Sequence, residues 1–187
     1  MRLFIAFPLE PSVKDELAKI LADVKPKSNA VKWVERNNLH LTSRFLGETH
    51  KDDVPEIEER LDRIAAKYEP FESVIDKIGG FPNLRRPRVI WVGMEKNVDF
   101  MTKIATHVEL AMQDIGFEAE IKRFKAHLTL GRVKDPRRLE ELTGYLQAYK
   151  FDPIPIHFDR LVLFKSTLTR TGPIYDRLHE AVLGVKS

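Results

Sequence analysis

The chain contains no cysteine. That excludes disulfides, thiolate nucleophiles and cysteine metal sites, and it suits a reducing compartment. No apolar run approaches the ~18 residues of a membrane-spanning helix. The opening MRLFIAFPLE is too short an apolar stretch for a secretory signal. A soluble, cytoplasmic protein with no membrane partner is expected. There is no HExxH, no Cys/His cluster and no Asp-rich run at ligand spacing, and Gly79-Gly80 is not part of a GxxxxGK loop. The sequence therefore predicts neither a metal site nor a cofactor.

What is present is ample for a core. The chain has 187 residues, of which 43% are hydrophobic and 32% charged, with a net charge of +3. This predicts one domain over 1–187, with room for two lobes. The weak positive charge mildly favours a polyanionic partner.

Hydrophobic periodicity gives the elements. Arg2 to Pro8 reads as a strand, followed by a helix from about Ser12, with Ser12 and Asp15 as its capping box and Val13, Leu17, Ile20, Leu21 and Val24 on one face. Strands are predicted at Val31–Val34 and 39–46, then a helix capped by Asp52 or Asp53. Phe71–Ile78 and Arg88–Met94 read as strands around the basic loop GGFPNLRRPR. Val98–Ile115 is a helix with Gly116 as its C-cap, and Phe117–Ile121 reads as a strand. A fourth helix spans about Pro136 to Tyr149, and Ile154–Lys165 is a long strand. Ile174 to Leu183 has no decisive pattern. Without a βαβ series the fold class is α+β, with helices on the outer faces of its sheets.

The tripeptide His-Leu-Thr occurs twice, at 40–42 and 127–129, 87 residues apart. In a strand, residues i and i+2 share a face. His40 with Thr42, and His127 with Thr129, therefore each present an imidazole beside a hydroxyl. A single copy is most simply a strand histidine at the surface. Two copies in similar settings, each followed by a capped helix, point to duplication around a cleft between two sheets. Strict alternation puts Arg44 on the face of His40 and Phe45 on the core side. It puts Arg132 on the wrong face, unless a bulge or strand end at Gly131 re-aims it into the cleft. Phe45, Phe81, Phe124 and Trp33 could stack a base, although core packing explains Phe45 better. Arg85, Arg86 and Arg88 form the densest basic patch. His50, His107, His157 and His179 lack a companion motif and read as structural or exposed.

The paired motifs, with the opening RLFIAFPL, the middle segment FPNLRRPRVIWVG and the second motif KAHLTLGRV, resemble the two-histidine phosphoesterases. Within that superfamily the chain resembles the RNA 2′,3′-cyclic phosphodiesterases, also called 2′-5′ RNA ligases. The resemblance implies two pseudo-symmetric lobes whose antiparallel sheets line a central cleft, with the His40 motif in one and the His127 motif in the other. It implies catalysis by His40 as proton donor and His127 as proton acceptor. Thr42, Thr129 and Arg132 would bind the phosphate. No metal or cofactor is implied. The implied partner is RNA with a 2′,3′-cyclic phosphate end, tRNA fragments included, acted on by a monomer. The implied reaction is hydrolysis to a 2′-phosphate, with reverse 2′-5′ ligation as a second activity. Ser43-Arg44 departs from the family's more apolar residue and frequent lysine. Two rival readings stand beside this one: an RNA-binding module without catalysis, and a phosphodiesterase for a small cyclic nucleotide or a 2′-5′ oligonucleotide.

Overall fold

A computed structural model describes residues 1–185; Lys186 and Ser187, at the end of the predicted domain, lie outside the described residues. The strands are β1 (Arg2–Phe7), β2 (Val31–Trp33), β3 (Leu41–Glu48), β4 (Phe71–Phe81), β5 (Val89–Met94), β6 (His127–Val133), β7 (Ile154–Phe158), β8 (Arg160–Thr169) and β9 (Gly172–Val182). The α-helices are α1 (Pro11–Val24), α2 (Val54–Ala65), α3 (Val98–Asp114) and α4 (Glu140–Ala148). They build two antiparallel sheets, ordered β3-β1-β8-β9 and β2-β6-β5-β4-β7. The α+β class and the helix-covered antiparallel sheets match the expectation.

The two sheets are interleaved. Within the first, β1 and β3 come from the N-terminal half, and β8 and β9 from the C-terminal half. Within the second, β5 lies at the midpoint of the chain and β6 and β7 follow it, while β2 and β4 are supplied by the N-terminal half. The order β3-β1-β8 therefore mirrors β6-β5-β4, and each half gives its last common strand to the other's sheet. α2 and α3 pack together on the first sheet, through β8, β9 and β3. α1 lies on β7 of the second sheet with α4 beside it.

One large core joins the helices to the inner side of both sheets. α1 buries Val13, Leu17, Ile20, Leu21 and Val24, the face its spacing predicts. A second, smaller cluster of Phe4, Ala6, Val162 and Phe164 covers the opposite face of the first sheet. A strand with apolar residues on both faces belongs in the middle of a sheet, which is where β1 lies.

Several boundaries depart from the sequence reading. The Ser12–Asp15 capping box does not form: Glu10 is the N-cap, Pro11 opens the helix, and Asp15 instead holds Arg36 at 2.6 Å. Proline at the first helical position sets the start one residue early. Phe117–Ile121 is not a strand. Its backbone is taken by side chains, since Arg44 donates to the Glu118 carbonyl and the Glu120 N–H donates to the Glu109 carboxylate. The stretch 154–165 breaks at Asp159, and its two parts join different sheets. The undecided C-terminal segment is β9, paired with β8 throughout.

Phe7 is fully buried and meets Phe158 of the other sheet edge-on at 5.5 Å. We expect Phe7→Ala to cost about 3–5 kcal/mol in chemical denaturation. A loss below about 1 kcal/mol would show that the sheets do not depend on this contact.

Candidate active site

Both motifs carry the same backbone irregularity. In β6, Thr129 pairs with Trp91 and Gly131 with Ile90, so Leu130 is an extra residue. In β3, Thr42 pairs with Ala6 and Arg44 with Ile5, so Ser43 is extra. Each bulge falls on the residue after the threonine, and it reverses the alternation for the residues that follow, until a second shift at Leu46 in β3.

The reversal decides which side chains reach the open face. On the second sheet, cross-strand partners place His127 opposite Gly93, Thr129 opposite Trp91 and Arg132 opposite Val89. Thr129 and Arg132, three apart, now share a face. His127, Thr129 and Arg132 line one pocket of about 390 Å³, with Trp91, Val89, Phe81, Lys122, Arg123 and Lys125. The bulge that Gly131 suggested is present one residue earlier, and Arg132 is exposed in the pocket.

On the first sheet the same rule sends Arg44 inward and Phe45 outward. The alternation had placed them the other way round. Arg44 is 7% exposed and Phe45 56%. Phe45, three residues after Thr42, occupies the position that Arg132 holds after Thr129. The duplicated sites are therefore chemically unequal: one ends in a guanidinium, the other in a phenyl ring. His40 precedes β3 and lies against Phe4 (4.9 Å), with Tyr175 edge-on at 5.3 Å. His40 and Thr42 lie outside the His127 pocket, on this aromatic face. Burial raises the pKa of the Tyr175 phenol, partly offset by Arg132 of the second sheet and by Arg2, and β3 also packs against β6.

The two imidazoles are held differently. Nδ1 of His40 lies 2.6 Å from the Asn38 carbonyl oxygen. A carbonyl only accepts, so Nδ1 carries the hydrogen and Nε2 is left to exchange protons. The ring of His127 stacks on Trp91, with centroids 3.6 Å apart and planes 7° from parallel. Two glycines make room for the indole: a Cβ on Gly93 would lie 2.9 Å from the Trp91 ring and 3.2 Å from His127. On Gly79 it would overlap the same indole. Burial lowers the pKa of both histidines. Lys14 adds to this at His40, against an opposing effect of the Asn38 bond. Lys125 and Lys77 add to it at His127.

Two imidazole–hydroxyl pairs, one of them joined by an arginine, suit acid–base chemistry on a phosphoryl centre. A family model described as LigT-like phosphoesterase matches twice, over residues 7–91 and 92–175. The chain belongs to this family. A Thermotoga maritima protein named RNA 2′,3′-cyclic phosphodiesterase is 35% identical, covering 96% of this chain and 94% of its own length. An Archaeoglobus fulgidus protein of the same name is 37% identical, over 95% of this chain and 98% of its own. A crystal structure of a Thermus thermophilus protein is similar with a TM-score of 0.80 and 27% identity, covering both chains fully. E. coli LigT crystallised with 3′-AMP has a TM-score of 0.77 over 97% of each chain; at 24% identity this is a likeness of fold.

In this LigT-like phosphoesterase the sequence reading overlooked several residues at the site. Trp91 was readable, because Ile90 and Val92 alternate with Trp91 and Gly93 and leave an indole beside a glycine on one face. The run Lys122-Arg123-Phe124-Lys125, just ahead of His127, was also visible. Tyr175 and Phe4 were not, since only long-range pairing brings them to His40. Of the proposed stacking residues, Phe81 is in the pocket with Lys125 Nζ 5.4 Å from its ring centroid. Phe124 and Trp33 pack against the core instead. His107 bonds Tyr68 and His179 bonds Asp62, so both are structural; His50 and His157 are exposed.

Arg44 has a different task from the one its position suggested. Its Nε lies 2.6 Å from Glu109, Nη1 lies 3.3 Å from Glu120, and it donates to the carbonyls of Phe45 and Glu118. It therefore ties α3 and the segment 118–120 to β3, just ahead of the cationic run that enters the pocket. Removing one partner of a buried pair strands the others. Arg44→Met is expected to lose about 3 kcal/mol in denaturant unfolding, the low end for such pairs because both carboxylates reach solvent. An unchanged midpoint would rule out this anchoring role.

Proposed function

We propose that this chain hydrolyses 2′,3′-cyclic phosphate ends of RNA to 2′-phosphates by paired-histidine acid–base catalysis. The observation that carries the reading is the unequal duplication: two His–Thr pairs at equivalent strand positions, one completed by Arg132 and the other by aromatic rings. The guanidinium side suits a phosphate, and the aromatic side suits a nucleoside. The names of the relatives supply the cyclic ester.

In the proposed reaction a water oxygen attacks phosphorus and neutral His127 takes its proton. The bond from phosphorus to the ribose 3′ oxygen breaks, and protonated His40 delivers a proton to that oxygen. The product carries a 2′-phosphate and a 3′-hydroxyl. Thr42, Thr129 and Arg132 donate to the non-bridging oxygens and stabilise the charge that grows on them. Burial, with Lys125 and Lys77, lowers the pKa of His127, the direction a base requires. The substrate's own negative charge offsets that field once bound. A 5′-hydroxyl in the water's place would form a 2′-5′ linkage. With water at ~55 M, that outcome needs two RNA ends held together.

The test is an assay with EDTA present, using an oligonucleotide ending in a 2′,3′-cyclic phosphate, with a cyclic mononucleotide and a 2′-5′ oligonucleotide in parallel. We expect a 2′-phosphate product, and at least ~100-fold lower kcat in His40→Ala or His127→Ala. Near-normal turnover by either variant would overturn the assignment. Salt-sensitive RNA binding without turnover would favour a binding module instead.

The pH dependence follows from the same geometry. Both free-enzyme imidazoles titrate below the ordinary value of ~6.5. The productive form has one proton shared between the two roles. Its population rises as pH falls toward the higher of the two values and drops once both rings are protonated. A bell-shaped kcat/KM with its maximum below about pH 6.5 is therefore expected. A maximum above about pH 7.5 would exclude these two groups as the titrating pair.

A further inference from the structure

We propose that the groove between the β4–β5 loop and the start of α4 is a binding track for single-stranded RNA, holding the phosphates upstream of the end that enters the cleft. This rests on the RNA-end reading of the active site and extends it to substrate length.

The groove has a volume of about 670 Å³. Arg85, Arg86 and Arg88 line one wall; Arg137, Leu139 and Glu140 line the other. Arg137 is held by Asp135 through both carboxylate oxygens, which leaves the three loop guanidiniums facing Glu140 across the groove. Lys134 and Arg138 continue the positive surface beyond Arg137. Seven arginines of the chain have carboxylate partners: Arg36, Arg44, Arg60, Arg63, Arg137, Arg160 and Arg177. Among the described residues no carboxylate pairs with Arg85, Arg86 or Arg88. Guanidiniums gathered in a concave site without protein acceptors are suited to a polyanion.

The loop that carries them has a built shape. The Arg88 N–H donates to the Phe81 carbonyl at 2.7 Å, closing its base. The Asn83 side-chain oxygen accepts from the backbone N–H groups of Arg85 and Arg86, both at 3.0 Å. The loop also folds back over Gly80, where a Cβ would lie 2.9 Å from both the Asn83 carbonyl and Pro87.

The groove adjoins the catalytic pocket. Phe81 and Val89 line the pocket, and their neighbours Pro82 and Arg88 line the groove. A strand leaving the His127 pocket at this edge passes the exposed Phe81 ring and meets the arginines. An aromatic platform followed by a basic groove is the usual construction for holding a single strand without reading its sequence. A cyclic mononucleotide ends inside the pocket and gains nothing from it.

The test compares a 2′,3′-cyclic mononucleotide with an octanucleotide bearing the same end, in the wild type and in Arg85→Ala/Arg86→Ala. Both arginines are exposed, and thermal unfolding checks that the variant remains folded. In the wild type at low salt the octamer should have a kcat/KM at least roughly tenfold above the mononucleotide. The variant should lose most of that advantage and leave the mononucleotide within about twofold. Each lost phosphate contact on a single strand lowers the slope of log K against log salt by about 0.7, so the octamer's dependence should weaken by about 1.4. Equal rates for both lengths in the wild type, or a length advantage that survives in the variant, would overturn the proposal. If the wild type turns over neither substrate, the RNA-end reading fails, and fluorescence anisotropy of a labelled octamer then decides the groove. Weaker binding by the variant would support it, and equal binding would overturn it.

Discussion

In both motif strands the chain inserts one residue directly after the threonine, and the direction of every later side chain depends on it. Without Ser43 as an extra residue, Arg44 would face the cleft, and Glu109 and Glu120 would lose their cation. Without Leu130 as an extra residue, Arg132 would enter the core and no longer share the pocket face with Thr129. Bulges are frequent beside active sites because they re-aim a side chain without breaking the strand. Using the device twice at equivalent positions gives the two sheets matched His–Thr pairs. It also lets the next outward residue differ, and at that position the two halves diverge, with phenylalanine in one and arginine in the other.

The electrostatics follow the same division. The second sheet gathers Lys77, Lys122, Arg123, Lys125 and Arg132 around His127, while the first sheet surrounds His40 with Phe4, Phe164 and Tyr175. Burial and nearby cations lower the pKa of His127; burial chiefly lowers that of His40, whose tautomer a backbone carbonyl fixes. A cationic wall and an aromatic wall are complementary to the two ends of a nucleotide. Arg44 serves this arrangement indirectly. It spends its charge beneath the surface and holds the segment that brings the lysines forward.

Local pattern made much of this readable. The repeated His-Leu-Thr, the apolar faces of the helices and the i, i+2 pairing of histidine with threonine all lie within a few residues of chain. Gly131 even hinted at the bulge, because a glycine inside a strand pattern often marks one. The first bulge had no such marker, since Ser43 is an unremarkable strand residue, so the alternation carried Arg44 and Phe45 to the wrong faces. The break at Asp159 was hidden for a similar reason: the residues on both sides are good strand formers, and only the sheet each joins distinguishes them. Segment 117–121 alternates like a strand, but side chains from β3 and α3 occupy its backbone groups. Tyr175 reaches His40 through pairing across most of the chain, which no local window contains.

That long-range pairing has a consequence for how the molecule comes into being. β1 is flanked by β3 on one side and β8 on the other, with Arg2 opposite Ser166. On a ribosome, which delivers residues in order, the second neighbour emerges only after most of the chain has left the exit tunnel. Until then β1 has an unpaired edge and two apolar faces, the kind of strand that invites pairing with another chain. The exchange of strands between halves also means that the first sheet cannot finish before the second has been made. Nascent chains stalled before residue 160 should therefore be the aggregation-prone species, and a chaperone that shields the first strand would act longest on this protein.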